Sequence, residues 1–236
     1  MANDMNDDLR YARQTCLPQV GKEGQKKLLN AKVLVVGAGG LGSPVSLYLA
    51  AAGIGHLGLL DEDKIEIHNL QRQILYDTYY IGRPKVEIAA EKLADLNNNI
   101  KITAHNTRLG SDNISDIITG YDIVADCTDN FETRFLLNDA CMEHGKILVS
   151  AAVAGFEGQV YTFKKNICNY RDIYEEPPVG LIASCSQNGI MGAVCGVVGS
   201  MQANEIIKEV LGLPSLAGNM LVWDGVKNSL KRIKIT

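Results

Sequence analysis

Four charged segments of this chain carry side chains that suit chemistry at a phosphate group. They are residues 61–63 (Asp-Glu-Asp), 69–73 (Asn-Leu-Gln-Arg-Gln), 83–85 (Arg-Pro-Lys) and 126–130 (Asp-Cys-Thr-Asp-Asn). An arginine fork clamps phosphate oxygens, a lysine supplies a point charge, and an aspartate can hold Mg²⁺. Attack of a carboxylate on an α-phosphate needs such groups, because negative charge builds on the phosphoryl oxygens and on the departing pyrophosphate. Hydride transfer has no such need.

Three of these residues have a simpler role when each is considered alone. Arg72 and Lys85 could be ordinary solvated surface charges. Asp129 could cap the helix that the pattern predicts from residue 131. Taken together with the glycine-rich loop that precedes them, the three residues favour a nucleotide site over these simpler roles.

The glycine-rich loop consists of Gly37, Gly39, Gly40 and Gly42, between a predicted strand and a predicted helix. Glycines at this place let the backbone turn tightly and approach a phosphate or a ribose. Asp61 follows the next predicted strand and can accept hydrogen bonds from ribose hydroxyls. The loop and Asp61 would equally serve an NAD-dependent oxidoreductase, which is therefore an alternative. No G-x-x-x-x-G-K-[ST] motif is present, which excludes a P-loop NTPase.

The elements that must position these residues alternate between strands and helices. Residues 33–36 and 56–60 are predicted to be buried strands, joined by a helix with apolar positions 41, 45, 48, 49 and 52. Such a βαβ unit is parallel, because its crossover is right-handed. Further strands are predicted over 102–106, 122–127, 147–153, 159–163, 220–223 and 230–235, and further helical segments over 10–30, 84–96, 131–143 and 188–211. Residues 164–186 are predicted to form a long, mobile loop.

The predicted fold class is α/β. It has a Rossmann-like, mostly parallel central sheet with flanking helices, continued by antiparallel strands in the C-terminal half, in a single domain over residues 1–236. The formal net charge of −4 argues against a nucleic-acid partner. The polar, acidic start predicts no signal peptide, and the longest apolar run, near 189–201, is too short to span a membrane. We therefore expect a cytoplasmic protein.

Six short motifs, in this order and at these spacings, resemble the ThiF/MoeB/HesA family, which is related to the catalytic core of ubiquitin-activating enzymes. They are R-Y-x-R-Q from residue 10, G-A-G-G-L-G-S, D-x-D, N-L-Q-R-Q, G-R-P-K and D-C-T-D-N. The resemblance covers residues 10–223. It implies a homodimer that binds MgATP and adenylates the C-terminal glycine of a ubiquitin-like sulfur-carrier protein similar to ThiS or MoaD.

The resemblance also implies roles for single residues. Asp61 would hold the ribose, while Arg72 and Lys85 would bind the phosphates. Asp129 would position Mg²⁺ and the reacting groups, and Arg13 would reach the triphosphate from the partner subunit. Three further motif residues would line the nucleotide site, namely Asp63, Asn69 and Gln73.

The cysteines depart from the pattern of many family members, which carry a structural zinc on two C-x-x-C pairs. The first pair is reduced here to Cys168-Asn-Tyr-Arg171, and none of the six cysteines belongs to a C-x-x-C pair. A lone thiolate cannot build a tetrahedral zinc site, so we expect no zinc. Cys185 matches the cysteine that links ThiF-like proteins covalently to the carrier. It could handle sulfur here, or it could be a small residue at the start of a helix.

The pathway and the carrier are open at this stage. Thiamine biosynthesis is favoured over molybdopterin biosynthesis because the sequence contains no rhodanese domain. A tRNA-modifying, ATP-dependent dehydratase of the same superfamily is an alternative function. The net charge and the N-L-Q-R-Q motif argue against that dehydratase.

Overall fold

Eight strands form one mixed sheet in the computed structural model, which describes residues 9–176 and 189–235. The strands are β1 Lys32–Val36, β2 His56–Leu60, β3 Lys101–His105, β4 Ile123–Asp126, β5 Ile147–Ala154, β6 Glu157–Phe163, β7 Asn219–Asp224 and β8 Ser229–Lys234. Their order across the sheet is β3-β2-β1-β4-β5-β6-β7-β8. Strands β1 to β5 pair in parallel, and β5 to β8 pair antiparallel. The predicted fold class is confirmed.

Helices cover both faces of the parallel half. The α-helices of the described residues are α1 Ala12–Thr15, α2 Gly21–Asn30, α3 Gly42–Ala52, α4 Lys85–Leu96, α5 Ile114–Ile118, α6 Phe131–Glu143 and α7 Gly192–Leu211. Short 3₁₀ turns lie at Ile67–Asn69, Thr78–Tyr80 and Tyr170–Asp172. The central strand β1 shows why the sheet is covered twice. Val33 and Val35 pack into one apolar core, Leu34 and Val36 into the other, and all four are nearly inaccessible.

Three expectations about the helices differ from the structure. The predicted apolar stripe of α3 includes Tyr48, which is 56% exposed. Helix α3 is packed between α4 and α7, and its buried side contains the small residues Ser43 and Ser46 instead. Helix α5 was not predicted, because five residues are too few to show a helical period. Helix α7 begins at Gly192; residue 188, its predicted start, lies outside the described residues.

The predicted loop over 164–186 is partly described. Its first part, residues 164–176, contains the turn Tyr170–Asp172. Tyr170 is buried there, and its backbone N–H donates to Asn138 Oδ1 of α6 at 2.7 Å. Residues 177–186 lie outside the described part. Within the described ranges, no helix is long and apolar enough to cross a membrane.

Candidate active site

The carboxyl ends of three neighbouring parallel strands bring most of the predicted site residues to one edge of the sheet. The glycine-rich loop follows β1, Asp61 follows β2, and Asp129 follows β4 by three residues. The chain leaves β1 towards β2 and β3 and returns to the other side of β1 with β4. Such a point of reversal opens a crevice between adjacent strand ends, where α/β proteins bind ligands.

Two glycines of the loop are required by its backbone. Gly37 has φ +92°, and a Cβ atom there would lie 2.8 Å from the carbonyl oxygen of Cys127. A Cβ atom on Gly42 would lie 1.9 Å from the carbonyl oxygen of Gly37. The loop therefore makes a tight turn directly against the end of β4, as the sequence predicts.

The other two glycines let neighbouring elements approach the loop. A Cβ atom on Gly40 would lie 2.9 Å from Cys195 Sγ of α7 and 3.4 Å from Cγ of Arg72. Among the described residues, a Cβ atom on Gly39 would meet only the Gln73 side chain, at 3.5 Å from Nε2. The N-L-Q-R-Q segment and the start of α7 thus pack onto the loop, while no other described residue lies within 4 Å of a Cβ atom on Gly39.

The carboxylate of Asp61 holds the loop in place. Its Oδ2 accepts the backbone N–H of Ala38 and its Oδ1 accepts the backbone N–H of Asp63, both at 2.8 Å. Each oxygen keeps a second lone pair, and the residue is partly exposed. Asp61 can therefore accept further hydrogen bonds from a ribose.

Tyr76 is a support of the loop that the sequence did not single out. Its hydroxyl donates to the carbonyl oxygen of Ala38 at 2.8 Å, and the residue is buried. Burial, together with the nearby Asp61 carboxylate, raises the pKa of Tyr76. The hydroxyl therefore stays protonated and remains a donor. Tyr76 is followed by Tyr79 and Tyr80, and no spacing in this segment distinguishes it as a support of the loop.

The N-L-Q-R-Q segment is a compact turn with a buried side. The amide of Asn69 accepts the backbone N–H of Glu66, and the carbonyl oxygen of Asn69 accepts those of Arg72 and Gln73. Gln73 is 3% exposed, and its Oε1 has no hydrogen-bond partner among the described residues. Arg72 is half-buried, and its Nη1 donates to the carbonyl oxygen of His68 at 3.0 Å.

Lys85 is not a surface charge. Its side chain is 5% exposed, and its Nζ lies 2.8 Å from Oδ2 of Asp63, whose side chain is 65% exposed. The backbone N–H of Lys85 also donates to the carbonyl oxygen of Asp63, at 2.9 Å. The surface interpretation is therefore wrong for Lys85. Its ammonium group is linked through Asp63 and Asp61 to the glycine-rich loop.

The D-C-T-D-N segment is tied down on its buried side. Asp126 is 1% exposed and accepts hydrogen bonds from the hydroxyls of Thr128 and Ser150, both at 2.6 Å. Arg134 of α6 donates from Nη2 to the carbonyl oxygen of Thr128, also at 2.6 Å. From α7, Gln202 donates to the carbonyl oxygen of Asp126 at 2.8 Å. The backbone that leads to Asp129 is thus held from three elements.

Asp129 itself is exposed and is not the helix cap. The side chain of Asn130 caps α6, because its Oδ1 accepts the backbone N–H of Thr133 at 2.8 Å. No hydrogen bond or ion pair reaches the Asp129 carboxylate from residues 9–176 or 189–235. The alternative role of Asp129 as a cap is wrong, and its carboxylate is available to bind a cation.

Arg13 is not brought to the site of its own chain. The neighbouring Gln14 donates from Nε2 to the carbonyl oxygen of Ala52 at 2.8 Å, which fixes α1 at the C-terminal end of α3. The glycine-rich loop lies at the other end of this helix, about 16 Å away along the axis of its 11 residues. Arg13 is exposed there. Cys185, the remaining predicted residue, lies outside the described residues.

Cys168 is occupied by backbone groups. The residue is 3% exposed; its Sγ accepts the backbone N–H of Gly218 at 3.1 Å and donates to the carbonyl oxygen of Thr162 at 3.4 Å. Burial raises the pKa of the Cys168 thiol, which disfavours the thiolate that zinc requires. The described residues contain no group of three or more side chains suited to a metal.

We predict that purified protein contains no stoichiometric zinc. A structural zinc site supplies about 10–16 kcal/mol of binding free energy in peptides, but only with a complete set of ligands. Elemental analysis should give a zinc content near zero, and excess chelator should leave the melting temperature unchanged. A content near one zinc per chain, lost together with stability on chelation, would contradict the prediction.

Comparison with known proteins identifies relatives of this chain. A sequence profile of the ThiF family matches residues 11–236. The chain is 43% identical over 234 residues to the sulfur carrier protein adenylyltransferase of Thermus thermophilus, covering 96% of this chain and 86% of that protein. It is 47% identical to the adenylyltransferase and sulfurtransferase MOCS3 of Culex quinquefasciatus, covering 98% of this chain. The chain spans only 53% of the length of MOCS3.

A solved structure shares the fold. Escherichia coli MccB, in its crystal structure with MccA-N7isoASN, superimposes with a TM-score of 0.84 at 21% sequence identity. The match covers 96% of this chain and 72% of the MccB chain. The architecture therefore extends to proteins of distant sequence.

Proposed function

This chain belongs to the ThiF family, and we propose that it uses ATP to adenylate the C-terminal glycine of a ubiquitin-like sulfur-carrier protein. The observation that supports the proposal most strongly is the buried ammonium group of Lys85, held 2.8 Å from Asp63. Placing a lysine charge in a buried position costs free energy, and such groups gather where they serve a site. A triphosphate bound beside the glycine-rich loop would be a negatively charged partner for this ammonium group.

The described residues fit ATP in three respects. Gly39 leaves a surface of the loop that, of the described residues, only Gln73 approaches. The amide oxygen of Gln73, which has no hydrogen-bond partner among the described residues, offers a polar group beside that surface. Asp61 keeps free lone pairs for ribose hydroxyls. Arg72 and Lys85 would then contact the phosphates, and the exposed carboxylate of Asp129 would hold Mg²⁺.

Magnesium suits this arrangement because the ion usually takes one or two protein carboxylates together with substrate phosphates. When bound, it would neutralise charge on the phosphate oxygens. Zinc and calcium sites, by contrast, collect several protein ligands. A single free aspartate is therefore a reasonable ligand set for Mg²⁺ and a poor one for the other two ions.

The proposed adenylation reaction is consistent with the positive charges of Arg72 and Lys85. A carboxylate oxygen of the carrier's terminal glycine attacks the α-phosphorus of ATP, and the bond from this phosphorus to the oxygen bridging to the β-phosphate breaks. The products are the acyl-adenylate and pyrophosphate. The nucleophile belongs to the carrier, so the chain needs no nucleophile of its own. Arg72 and Lys85 would act by stabilising negative charge that grows in the transition state.

A homodimer would complete each site. Because α1 is fixed at the far end of α3, Arg13 lies too far from the glycine-rich loop of its own chain to contact a nucleotide there. Arginine is suited to bind a triphosphate, and Arg13 is exposed. We therefore propose that Arg13 serves the nucleotide of a partner subunit across a two-fold interface.

The names of the relatives support the adenylation step more directly than the sulfur chemistry. The Thermus thermophilus relative, of which the chain covers 86%, is named only as an adenylyltransferase of a sulfur carrier protein. The name of MOCS3 also includes a sulfurtransferase activity, but the chain matches only 53% of that protein. We propose adenylation for thiamine or molybdopterin biosynthesis as the function of the residues present.

We predict that the protein binds ATP in the presence of Mg²⁺ and does not bind NAD⁺ or NADH. A triphosphate with Mg²⁺ can be bound by Arg72, Lys85 and Asp129, whereas hydride transfer does not require these groups. Calorimetric titration with each ligand checks the prediction, and carrier-dependent exchange of pyrophosphate into ATP tests the reaction. ThiS-like and MoaD-like proteins ending in Gly-Gly are the probes, and the same carriers without the last glycine are the controls. Tight NAD⁺ binding without ATP binding would favour the oxidoreductase instead.

A further inference from the structure

The helical turn α1, which carries Arg13, is anchored by a buried pair of side chains. Tyr11, directly before α1, is 2% exposed, and its hydroxyl accepts a hydrogen bond from Nδ2 of Asn97 at 2.8 Å. Asn97 is fully buried, and its Nδ2 also donates to the carbonyl oxygen of Ala50 in α3, at 2.7 Å. The pair therefore joins three parts of the chain: the N-terminal segment, the end of α3 and the end of α4.

The ring of Tyr11 fits against a glycine. Gly53 ends α3 with φ +83°, and a Cβ atom at this position would lie 2.7 Å from the ring and the hydroxyl of Tyr11. The ring thus occupies the space that any side chain at residue 53 would need. The contact of the ring with Gly53 and the hydrogen bond from Asn97 together fix the position of the Tyr11 side chain.

The polar side chains near Arg13 form hydrogen bonds with backbone groups of α3 and α4. Gln14 and Gln25 both donate from Nε2 to the carbonyl oxygen of Ala52, at 2.8 and 3.1 Å. Arg10 donates from Nη1 to the carbonyl oxygen of Leu96 at 2.9 Å. Arg13 differs, because it is exposed and no hydrogen bond or ion pair connects it to any other described residue.

We propose that the Tyr11–Asn97 hydrogen bond positions Arg13 for the nucleotide of the partner subunit. This inference depends on the proposed function. A helix of four residues has no stability of its own, so its direction is set by its anchors. Small errors in the placement of a group that contacts the transition state reduce the rate strongly. Tyr11 and Asn97 are therefore positioning residues, and they act through Arg13.

The substitution Tyr11→Phe tests the proposal, because it removes only the hydroxyl. We expect the kcat of pyrophosphate exchange to fall by about threefold to tenfold, the range of one lost hydrogen bond. In an Arg13→Ala background, assayed with correspondingly more protein, the same substitution should cause no further fall. A purely structural role would lower the rate by the same factor in both backgrounds and would overturn the proposal.

A heterodimer shows in which subunit Tyr11 acts. One subunit carries Tyr11→Phe, the other Asp129→Ala, and two affinity tags isolate the mixed dimer. Its single working site combines the intact Asp129 of the first subunit with the intact Tyr11 and Arg13 of the second. We expect half the wild-type rate per dimer. A rate of only half that of the Tyr11→Phe homodimer would show that Tyr11 acts within its own chain, against the proposal.

Tyr121→Phe is the matched control. Tyr121 is also buried, and its hydroxyl is paired with Nε2 of His105 at 2.8 Å. Loss of the Tyr121 hydroxyl should lower the melting temperature, while Arg13→Ala should still lower the exchange rate by the same factor as in the wild-type protein. If Tyr11→Phe does not fold, Asn97→Ala removes the same hydrogen bond, together with the one to Ala50, and should show the same dependence on Arg13. Absence of exchange in the wild-type protein with every carrier would instead refute the proposed function.

Discussion

We expect Asp129→Ala to lower carrier-dependent pyrophosphate exchange by about two to three orders of magnitude while the protein remains folded. Removal of one preorganised electrostatic group typically costs about 3–4 kcal/mol of transition-state stabilisation. The fold should tolerate the change, because the Asp129 side chain is exposed and makes no hydrogen bond or ion pair with the described residues. Radiolabelled exchange and the melting temperature should be measured on the same preparation.

Asn130→Ala is the matched control for this experiment. Asn130 is the neighbouring residue and caps α6 through the backbone N–H of Thr133. Its loss should reduce the free energy of unfolding by about 1 kcal/mol and leave most of the exchange activity. The two substitutions therefore separate catalysis from capping. Near-normal exchange in Asp129→Ala would show that this carboxylate does not serve the reaction.

Mixing two inactive variants should restore activity. We expect Arg13→Ala and Asp129→Ala each to lose nearly all exchange as homodimers. After exchange of subunits, one site of the mixed dimer carries both defects and the other carries neither. The mixed dimer should therefore reach about half of the wild-type rate, as two-fold symmetry requires for a composite site.

The mixture distinguishes a composite site from a surface ion pair. An exposed salt bridge of Arg13 within its own chain would be worth at most about 1 kcal/mol and would not affect catalysis. Subunit exchange has to be demonstrated independently, for example by co-purification through two affinity tags. A mixed dimer that stays inactive, or full activity of Arg13→Ala alone, would refute the role of Arg13 in the partner's site.

The fold could be predicted because it depends on residue types at short spacings in the sequence. Strand β1 lies between two helical layers, so both its faces are apolar and its sequence is a continuous apolar run. The glycine-rich loop follows within a few residues, and its glycines are required by the turn itself at Gly37 and Gly42. Helix α5 was not predicted because it is short. The exposure of Tyr48 was not predicted because the helices that pack against α3 lie far along the chain.

Single charged residues could not be assigned from their neighbours in sequence. Considered alone, Lys85 could be a surface charge, but the fold buries it beside Asp63. Considered alone, Asp129 could be a helix cap, but Asn130 takes that role, and no described residue forms a hydrogen bond or ion pair with the Asp129 carboxylate. Tyr76 shows no pattern, although its hydroxyl supports the loop. Burial and hydrogen bonding depend on elements that are distant in the chain, and no local spacing encodes them.

The sequence by itself determined the family, the fold class and the glycine-rich loop, because these depend on residue types at short, regular spacings. Only the tertiary structure decided which of the predicted residues lie close together. It brought Asp61 beside the loop after β1, since the ends of parallel strands meet at one edge of the sheet. It also placed Lys85 against Asp63 and packed Arg72 against Gly40. It placed Arg13 at the opposite end of α3, because Tyr11 and Gln14 bind backbone and side-chain groups that exist only once α3 and α4 have packed.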